Sequence, residues 1–330
     1  MRVRKNVWTL AAGDTTLTWY AKAVHAMQAL PITDPRSWRY QAAIHGYPGH
    51  ESDPLAIRGE ALPSASEQRT YWQQCQHGSS FFLPWHRMFL LHFERIVAAQ
   101  VAALGGPADW SLPYWDYSSR REWGLLPETF RTAQGPTSAL YVRARNANAN
   151  EGKLVLAPED VDLSACLTAT GDTAPGGFFG AQAAAHAGDG FGAVEQTPHN
   201  QVHVEIGSDV KDGWMLDPDL AALDPIFWLH HANIDRLWDV WLRRDRSHRN
   251  LTQAYWLGGV TFSFHDFSGA KVTMPTQDVL DTTKPALDYT YEDTSDPLAA
   301  AAPAAAVAAT AVQHELVGAT LGSVDLAEDN

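Results

Sequence analysis

Cysteine is almost missing from this chain: Cys75 and Cys166 are the two among 330 residues, so no disulfide framework holds the fold. Basic side chains are also few, with 24 Lys and Arg against 38 Asp and Glu and a net charge of −14. The lack of a basic stripe to neutralise phosphates argues against a nucleic-acid partner. No apolar run reaches the roughly 20 residues that a bilayer-crossing helix needs, which argues against a membrane-spanning protein. The N-terminus, MRVRKNVWTLAAGDTTLTWY, starts basic but lacks the apolar stretch and small-residue cleavage site of a leader. The expectation is a cytoplasmic protein, or a mature form from which a leader has been removed. Hydrophobic residues are not lacking. At 45% of the chain they exclude global disorder, and the length allows about two domains or one large helical one.

What is abundant is histidine and tryptophan, 14 and 13 residues respectively. Their setting is mostly helical. Leu17, Tyr20, Ala21, Val24, Met27 and Leu30 mark an amphipathic helix over about 15–30 that stops before Pro31. SWRYQAAIHGY (37–47) reads as a helix ended by Gly46 and Pro48. The strongest helical signal is LPWHRMFLLHFERIVAAQVAAL. Pro84 sits near its start, and His86, Leu90, Phe93 and Val97 follow at offsets 0, 4, 7 and 11, which puts His86 on the buried face. DPIFWLHHANIDRLWDVWLR, about 224–243, opens with Asp224 as N-cap and Pro225 at the first helical position. Residues 118–198 read as loop, with TAPGGFFG and AHAGDGFG supplying backbone freedom. Residues 256–292 read as short strands, among them VTFSF (260–264) and YTY (289–291), and PLAAAAPAAAVAATAV (297–312) as a low-complexity linker.

The histidines are not scattered at random. His25, His50, His248, His265 and His314 fit ordinary packing roles. His199 and His203, in PHNQVHVEIG, are four apart, a spacing that brings both rings to one helix face. His230 and His231 lie inside apolar sequence, where an unpaired polar ring is costly. His77 and His86 flank the apolar run SSFFLPW, and His45 sits in another apolar stretch. Two groups of histidines, each closing on a buried helix, point to metal binding. The helical zinc signature HExxH is missing, and so is the Glu-x-x-His pattern of di-iron bundles. Six imidazoles without a carboxylate or thiolate in the set favour copper, and two clusters of three favour two ions. Periodicity leaves the choice between His230 and His231 open, since both line up with Ile234 and Trp241.

Several motifs in order resemble those of the type 3 copper proteins, the tyrosinases, catechol oxidases and hemocyanins: RVRKN, DPRSWRYQAAIHG (34–46), CQHGSSFFLPWHR (75–87), LPYWDY (112–117), PHNQVH (198–203) and DPIFWLHHANIDRLW (224–238). The resemblance covers most of residues 1–292. It implies a mainly α fold, an antiparallel helix bundle holding a dinuclear copper site, with long loops and a few short peripheral β-strands. Residues 1–292 would form the dicopper catalytic domain, 293–313 an Ala/Pro-rich linker, and 314–330 a fragment of a C-terminal shielding domain or tail.

Carried over by position, the resemblance implies one copper on His45, His77 and His86 and a second on His199, His203 and His231, the last because the family's ligand stands three before the Ile-Asp pair. His230 then takes a packing role, as do His92 and His186, which match no family position. Cys75, two before His77, is implied in a thioether to that ring. Glu195 and Asn200 are implied to hold the water that takes a proton from a monophenol. The implied activity uses O2 to ortho-hydroxylate monophenols and to oxidise o-diphenols to o-quinones. The rivals are a catechol or o-aminophenol oxidase without monophenolase activity, and an oxygen carrier, which the lack of internal repeats disfavours.

Further expectations concern the surroundings. Asp235 and Glu94 are expected to accept the second N–H of ligand imidazoles, with ion pairs to Arg236 or Arg95 as the alternative. Asp116 is expected to brace the scaffold, and Trp85, Phe89, Phe227 and Trp228 to exclude water. The tyrosines Tyr289 and Tyr291 are expected to pack on Arg2 or Arg4. Met215 to Pro218 fall where the family places a residue over the second copper, with no single residue picked out. The implied partners are small phenols and catechols, with a C-terminal shielding domain or a copper-delivery protein beside them.

Overall fold

The computed structural model describes residues 1–182, 190–207 and 213–299. His186, most of the Ala/Pro-rich tract and the tail from 314 therefore lie outside the described residues, and residues 118–182 turn out not to be plain loop. They carry short helical turns that pin the chain to the bundle, which periodicity over so few residues does not reveal.

The chain opens with strand β1 (Arg2–Arg4) and then runs through α1 (Thr16–Gln28), α2 (Trp38–His45), α3 (Ala65–Tyr71) and α4 (Phe82–Ala103). The short helices α5 (Glu128–Arg131), α6 (Ala147–Asn150) and α7 (Ser164–Thr168) follow, then α8 (Gln201–Gly207) and α9 (Pro225–Arg244). Strands β2 (Thr261–His265), β3 (Lys271–Pro275) and β4 (Tyr289–Tyr291) close the order. Helix α4 packs against both α1 and α9. Strands β2 and β3 form an antiparallel hairpin in the register Thr261 to Pro275 and His265 to Lys271. Strand β4 pairs in parallel with β1, Arg2 opposite Tyr289 and Arg4 opposite Tyr291. The protein is thus mainly helical among the described residues, with two small peripheral sheets. Among the described residues no helix is long and apolar enough to cross a membrane.

Local sequence explains where the helices that matter begin. Ser37 Oγ caps α2 by accepting Tyr40 N–H at 3.1 Å. Asp224 caps α9 by accepting Ile226 N–H at 3.0 Å, with Pro225 pre-set for the first turn. The same carboxylate is gripped by buried Arg145, 2.6 Å from each oxygen. Every residue of α9 from Pro225 to Trp241 is buried, so this is a core helix with no solvent face in its first four turns.

The tryptophan excess has a structural reason. Trp38, Trp72, Trp85, Trp110, Trp115, Trp228, Trp238, Trp241 and Trp256 are all buried. Most fill the core with the indole body and spend the one N–H on a loop or helix-end acceptor. Trp38 donates to Leu223 O, Trp228 to Ala222 O, Trp241 to Ala169 O and Trp256 to Ser80 O, at 2.8 to 3.2 Å. Such contacts tie irregular segments to the bundle without disulfides.

Candidate metal centre

Six histidines from five places in the chain meet in the middle of the bundle. His45 ends α2, His77 lies in the loop before α4, and His86 sits one turn into α4. Their ring centroids are 5.2 Å (His45 to His77), 5.7 Å (His45 to His86) and 5.4 Å (His77 to His86) apart. His199 precedes α8, His203 lies within it and His231 is in α9. These are separated by 4.6 Å (His199 to His203), 4.9 Å (His199 to His231) and 5.5 Å (His203 to His231). The two triads face each other, with His86 stacked on His231 at 4.4 Å and 14° and His77 at 5.6 Å from His199.

Hydrogen bonds at Nδ1 fix the tautomers. His45 Nδ1–H donates to Pro218 O (2.9 Å), His86 to Phe82 O (2.8 Å) and His203 to Met215 O (2.7 Å). His199 Nδ1–H donates to Asn200 Oδ1 at 2.8 Å. A carbonyl oxygen accepts and never donates, so each of these rings carries a proton on Nδ1, and the neutral ring then presents its lone pair on Nε2, the form that ligates a metal. Asp235 and Glu94 do not serve the imidazoles, contrary to expectation. Both turn to buried guanidiniums: Asp235 binds Arg87 Nε at 2.5 Å and Arg4 at 3.2 Å, and Glu94 binds Arg4 at 2.7 Å. An unpaired buried guanidinium is far more expensive than an imidazole N–H that a backbone carbonyl can satisfy, so the carboxylates go to the arginines. The expected ion pairs with Arg236 and Arg95 are not the ones formed either.

Burial holds the second triad neutral. His199 and His231 are pushed well below the usual histidine range, first by desolvation and then by neighbouring histidines. Burial lowers His203 to about 4. The fit to a metal follows from the donor atoms themselves. His199 Nε2 is buried with no hydrogen-bond partner. His203 Nε2 and His231 Nε2 converge to 3.3 Å. Two imidazole nitrogens on one tetrahedral ion, each at roughly 2.0–2.1 Å, stand about 3.3 Å apart. Buried, neutral, convergent imidazoles are a metal donor set, and an all-imidazole set suits copper.

The adjacent pair on α9 differs in its surroundings. His231 meets rings of both triads, including His45 at 6.3 Å. His230 meets His199 at 5.3 Å and His203 at 4.9 Å, while its Nδ1 lies 3.0 Å from Tyr117 Oη. Ring nitrogens of both still lie within 4.8 Å of those of His199 and His203. His92 is away from the centre, packed with Nε2 at 3.3 Å from Met274 Sδ.

The other predicted residues are close to the ligands. Cys75 Sγ lies 3.7 Å from His77 Nδ1. Glu195 is fully buried, and its Oε1 accepts Gly78 N–H at 2.8 Å, next to His77, while Oε2 has no partner. Desolvation raises this carboxyl well above its ordinary range. Trp85, Phe89, Phe227 and Trp228 form the expected dry wall, with Phe227 at 4.1 Å from His231 and 5.0 Å from His45. Asp116 caps its own loop, accepting from Ser118 N and Ser119 N. Arg4, not Arg2, meets the tyrosine pair, over the Tyr289 ring at 3.8 Å and 2.7 Å from Tyr291 Oη. Sequence reasoning missed the carbonyls of Pro218 and Met215 and the hydroxyl of Tyr117, because nothing in a residue's name shows which loop will reach a ring.

The model of the common central domain of tyrosinase matches residues 35–156 and 176–244, segments that contain all six histidines. This chain belongs to the tyrosinase family. Residues 250–304 match the polyphenol oxidase middle domain. The chain is 39% identical to tyrosinase HcTyr1 of Hahella sp. (strain CCB-MM4), over 99% of this chain and 70% of that protein. It is 31% identical to the latent chloroplastic polyphenol oxidase of Prunus armeniaca, over 86% of this chain and 47% of that one. The structure of latent apple tyrosinase superposes with a TM-score of 0.70 at 27% identity, covering 90% of this chain and 63% of that chain. Grenache (Vitis vinifera) polyphenol oxidase superposes at 0.67 and 28%, covering 89% and 85%. The chain spans about half the length of the plant relatives it matches.

Proposed function

We propose that this chain is a type 3 copper phenol oxidase that ortho-hydroxylates monophenols and oxidises o-diphenols to o-quinones. One copper would be held by His45, His77 and His86 and the other by His199, His203 and His231. The observation that carries the reading is the pair of imidazole triads facing each other behind an aromatic wall. When bound, the copper pair would supply the binding and reduction of dioxygen. Pro218 O, Met215 O, Phe82 O and Asn200 Oδ1 hold the ligand rings in the ligating tautomer. Phe227 and Trp85 keep bulk water from the rings.

A monophenol, with a pKa near 10, has to lose its proton to bind a metal. Glu195 is the proton acceptor in this reading, through a water held between Oε2 and the Asn200 amide. Its Oε1 is already anchored on Gly78 N–H, which leaves Oε2 for that water. The cationic metals would draw its raised pKa back towards ionisation.

Cys75 is assigned to a thioether with the His77 ring. The S–C bond replaces one S–H and one C–H, two electrons pass to dioxygen, and the ring loses its freedom to turn. Peptide mass spectrometry of copper-loaded protein should show this segment lighter by about two hydrogens, and an unmodified peptide rules the bond out.

The test of the whole reading is copper quantitation together with oxygen uptake on a monophenol, a catechol and an o-aminophenol. Two coppers per chain and uptake on the monophenol support it. Uptake on the catechol alone makes the protein a catechol oxidase. An oxygenated form that persists in the presence of phenol makes it a carrier.

A further inference from the structure

The carbonyls that orient His45 and His203 come from one short segment, residues 213–219, that leads into α9. We propose that Asp217 is a positioning residue for both imidazole triads, because it locks this segment into a single strap. Its backbone N–H donates to Gly213 O and Trp214 O, each at 3.3 Å, which closes the turn containing Met215. Its own carbonyl accepts Leu220 N–H at 2.9 Å and Ala221 N–H at 2.8 Å. Its side-chain Oδ1 accepts Asp219 N–H at 2.9 Å, bridging over Pro218. Pro218 has no N–H, so this side-chain bridge is what fixes the turn that aims Pro218 O at His45. Trp214 N–H anchors the near end on Ala144 O at 3.0 Å.

The strap is also wedged between the helices that carry the two ligands. Gly46 directly follows His45. A Cβ there would come 2.6 Å from Pro218 O and 2.7 Å from Asp219 Cα. Gly207 ends the helix of His203, and a Cβ there would come 2.1 Å from Leu216 N, beside Met215. Both sites need glycine, with no Cβ, so that the strap can touch them. A shift at either end therefore turns one imidazole in each triad, and the two metal positions respond together. Asp217 is half-buried and acts through the backbone.

This inference rests on the reading that the triads bind metal. The test is calorimetric titration of the metal-free protein with Zn2+, a redox-silent probe. The parent should take up two ions. Asp217→Ala should weaken both binding events by roughly tenfold or more, the scale of lost support around a ligand. Asp217→Asn keeps an Oδ1 acceptor and should stay within about twofold of the parent. Gly46→Ala, which presses on Pro218, should also weaken both events. Gly258→Ala, whose Cβ meets nothing nearer than 3.7 Å, should change neither. Asp217→Ala binding both ions like the parent, or losing just one, overturns the proposal. If that variant fails to fold, Gly46→Ala decides alone, and a loss confined to one ion overturns it. Should the parent take up no ion, the metal reading fails separately. Amide exchange at Leu216 and Asp219 then tests the strap, which requires faster exchange in Asp217→Ala than in Asp217→Asn; equal rates overturn it.

Discussion

Asp235→Ala should be strongly destabilising, although the residue lies outside the imidazole cluster. In the parent this buried carboxylate accepts from Arg87 Nε (2.5 Å), Arg4 (3.2 Å), Tyr289 Oη (2.6 Å) and Tyr291 Oη (2.5 Å). It joins α9 to α4, to the N-terminal strand and to β4 at one point. Removing one partner of a buried pair costs about 3–5 kcal/mol. Asp239 still serves Arg87 at 2.9 Å and Glu94 still serves Arg4 at 2.7 Å, which pulls the cost to the low end. Two phenol hydroxyls lose their acceptor, which adds about 1 kcal/mol or more. The sum is about 4 kcal/mol. At roughly 2 °C per kcal/mol for a folded region of this size, Tm should fall by about 8 °C in a calorimetric or fluorescence melt. Burial alone would raise the Asp235 carboxyl, but Arg87 and Arg4 overcome it and hold it below the ordinary carboxylate range. A depressed carboxyl contributes above its unfolded pKa and is lost as pH falls through its folded one. The gap between parent and variant should therefore hold from neutral pH down to about 4 and close below that. Lys153→Ala, at an exposed pair with Glu151, is the control and should shift Tm by less than about 1 °C. An Asp235→Ala melt within about 2 °C of that control would refute the reasoning.

Asn200→Ala and Glu195→Gln should lower monophenol turnover by roughly tenfold or more relative to catechol turnover, the scale of general-base loss; equal losses on both substrates argue against the held water. His231→Ala should bind one metal ion per chain by elemental analysis, whereas His230→Gln should keep two, and the reverse pattern would exchange their roles. Burial lowers His92 to about 4. A lowered histidine adds stability above its unfolded pKa that is lost as pH drops from about 6.5 towards 4, so His92→Phe should flatten urea-unfolding stability across that window by up to about 3 kcal/mol. An unchanged slope would place the acid sensitivity elsewhere.

Much of this protein was legible in its sequence, and the reason is local. The Asp224 cap, the Pro225 start, the His199 and His203 spacing and the burial of His86 are set by contacts within one helical turn, so residue order alone determines them. That these six histidines belong together was likewise visible, because they lie in recognisable motifs. What only the tertiary structure decided involves partners far apart in the chain. Asp235 looks from sequence like support for His231 on its own helix, yet it pairs with Arg87 and Arg4, because buried guanidiniums compete for carboxylates more strongly than imidazoles do. The imidazoles take their second bonds from Pro218, Met215 and Phe82 carbonyls. Every residue carries a carbonyl, so composition and spacing cannot single one out; packing of a strap against Gly46 and Gly207 does.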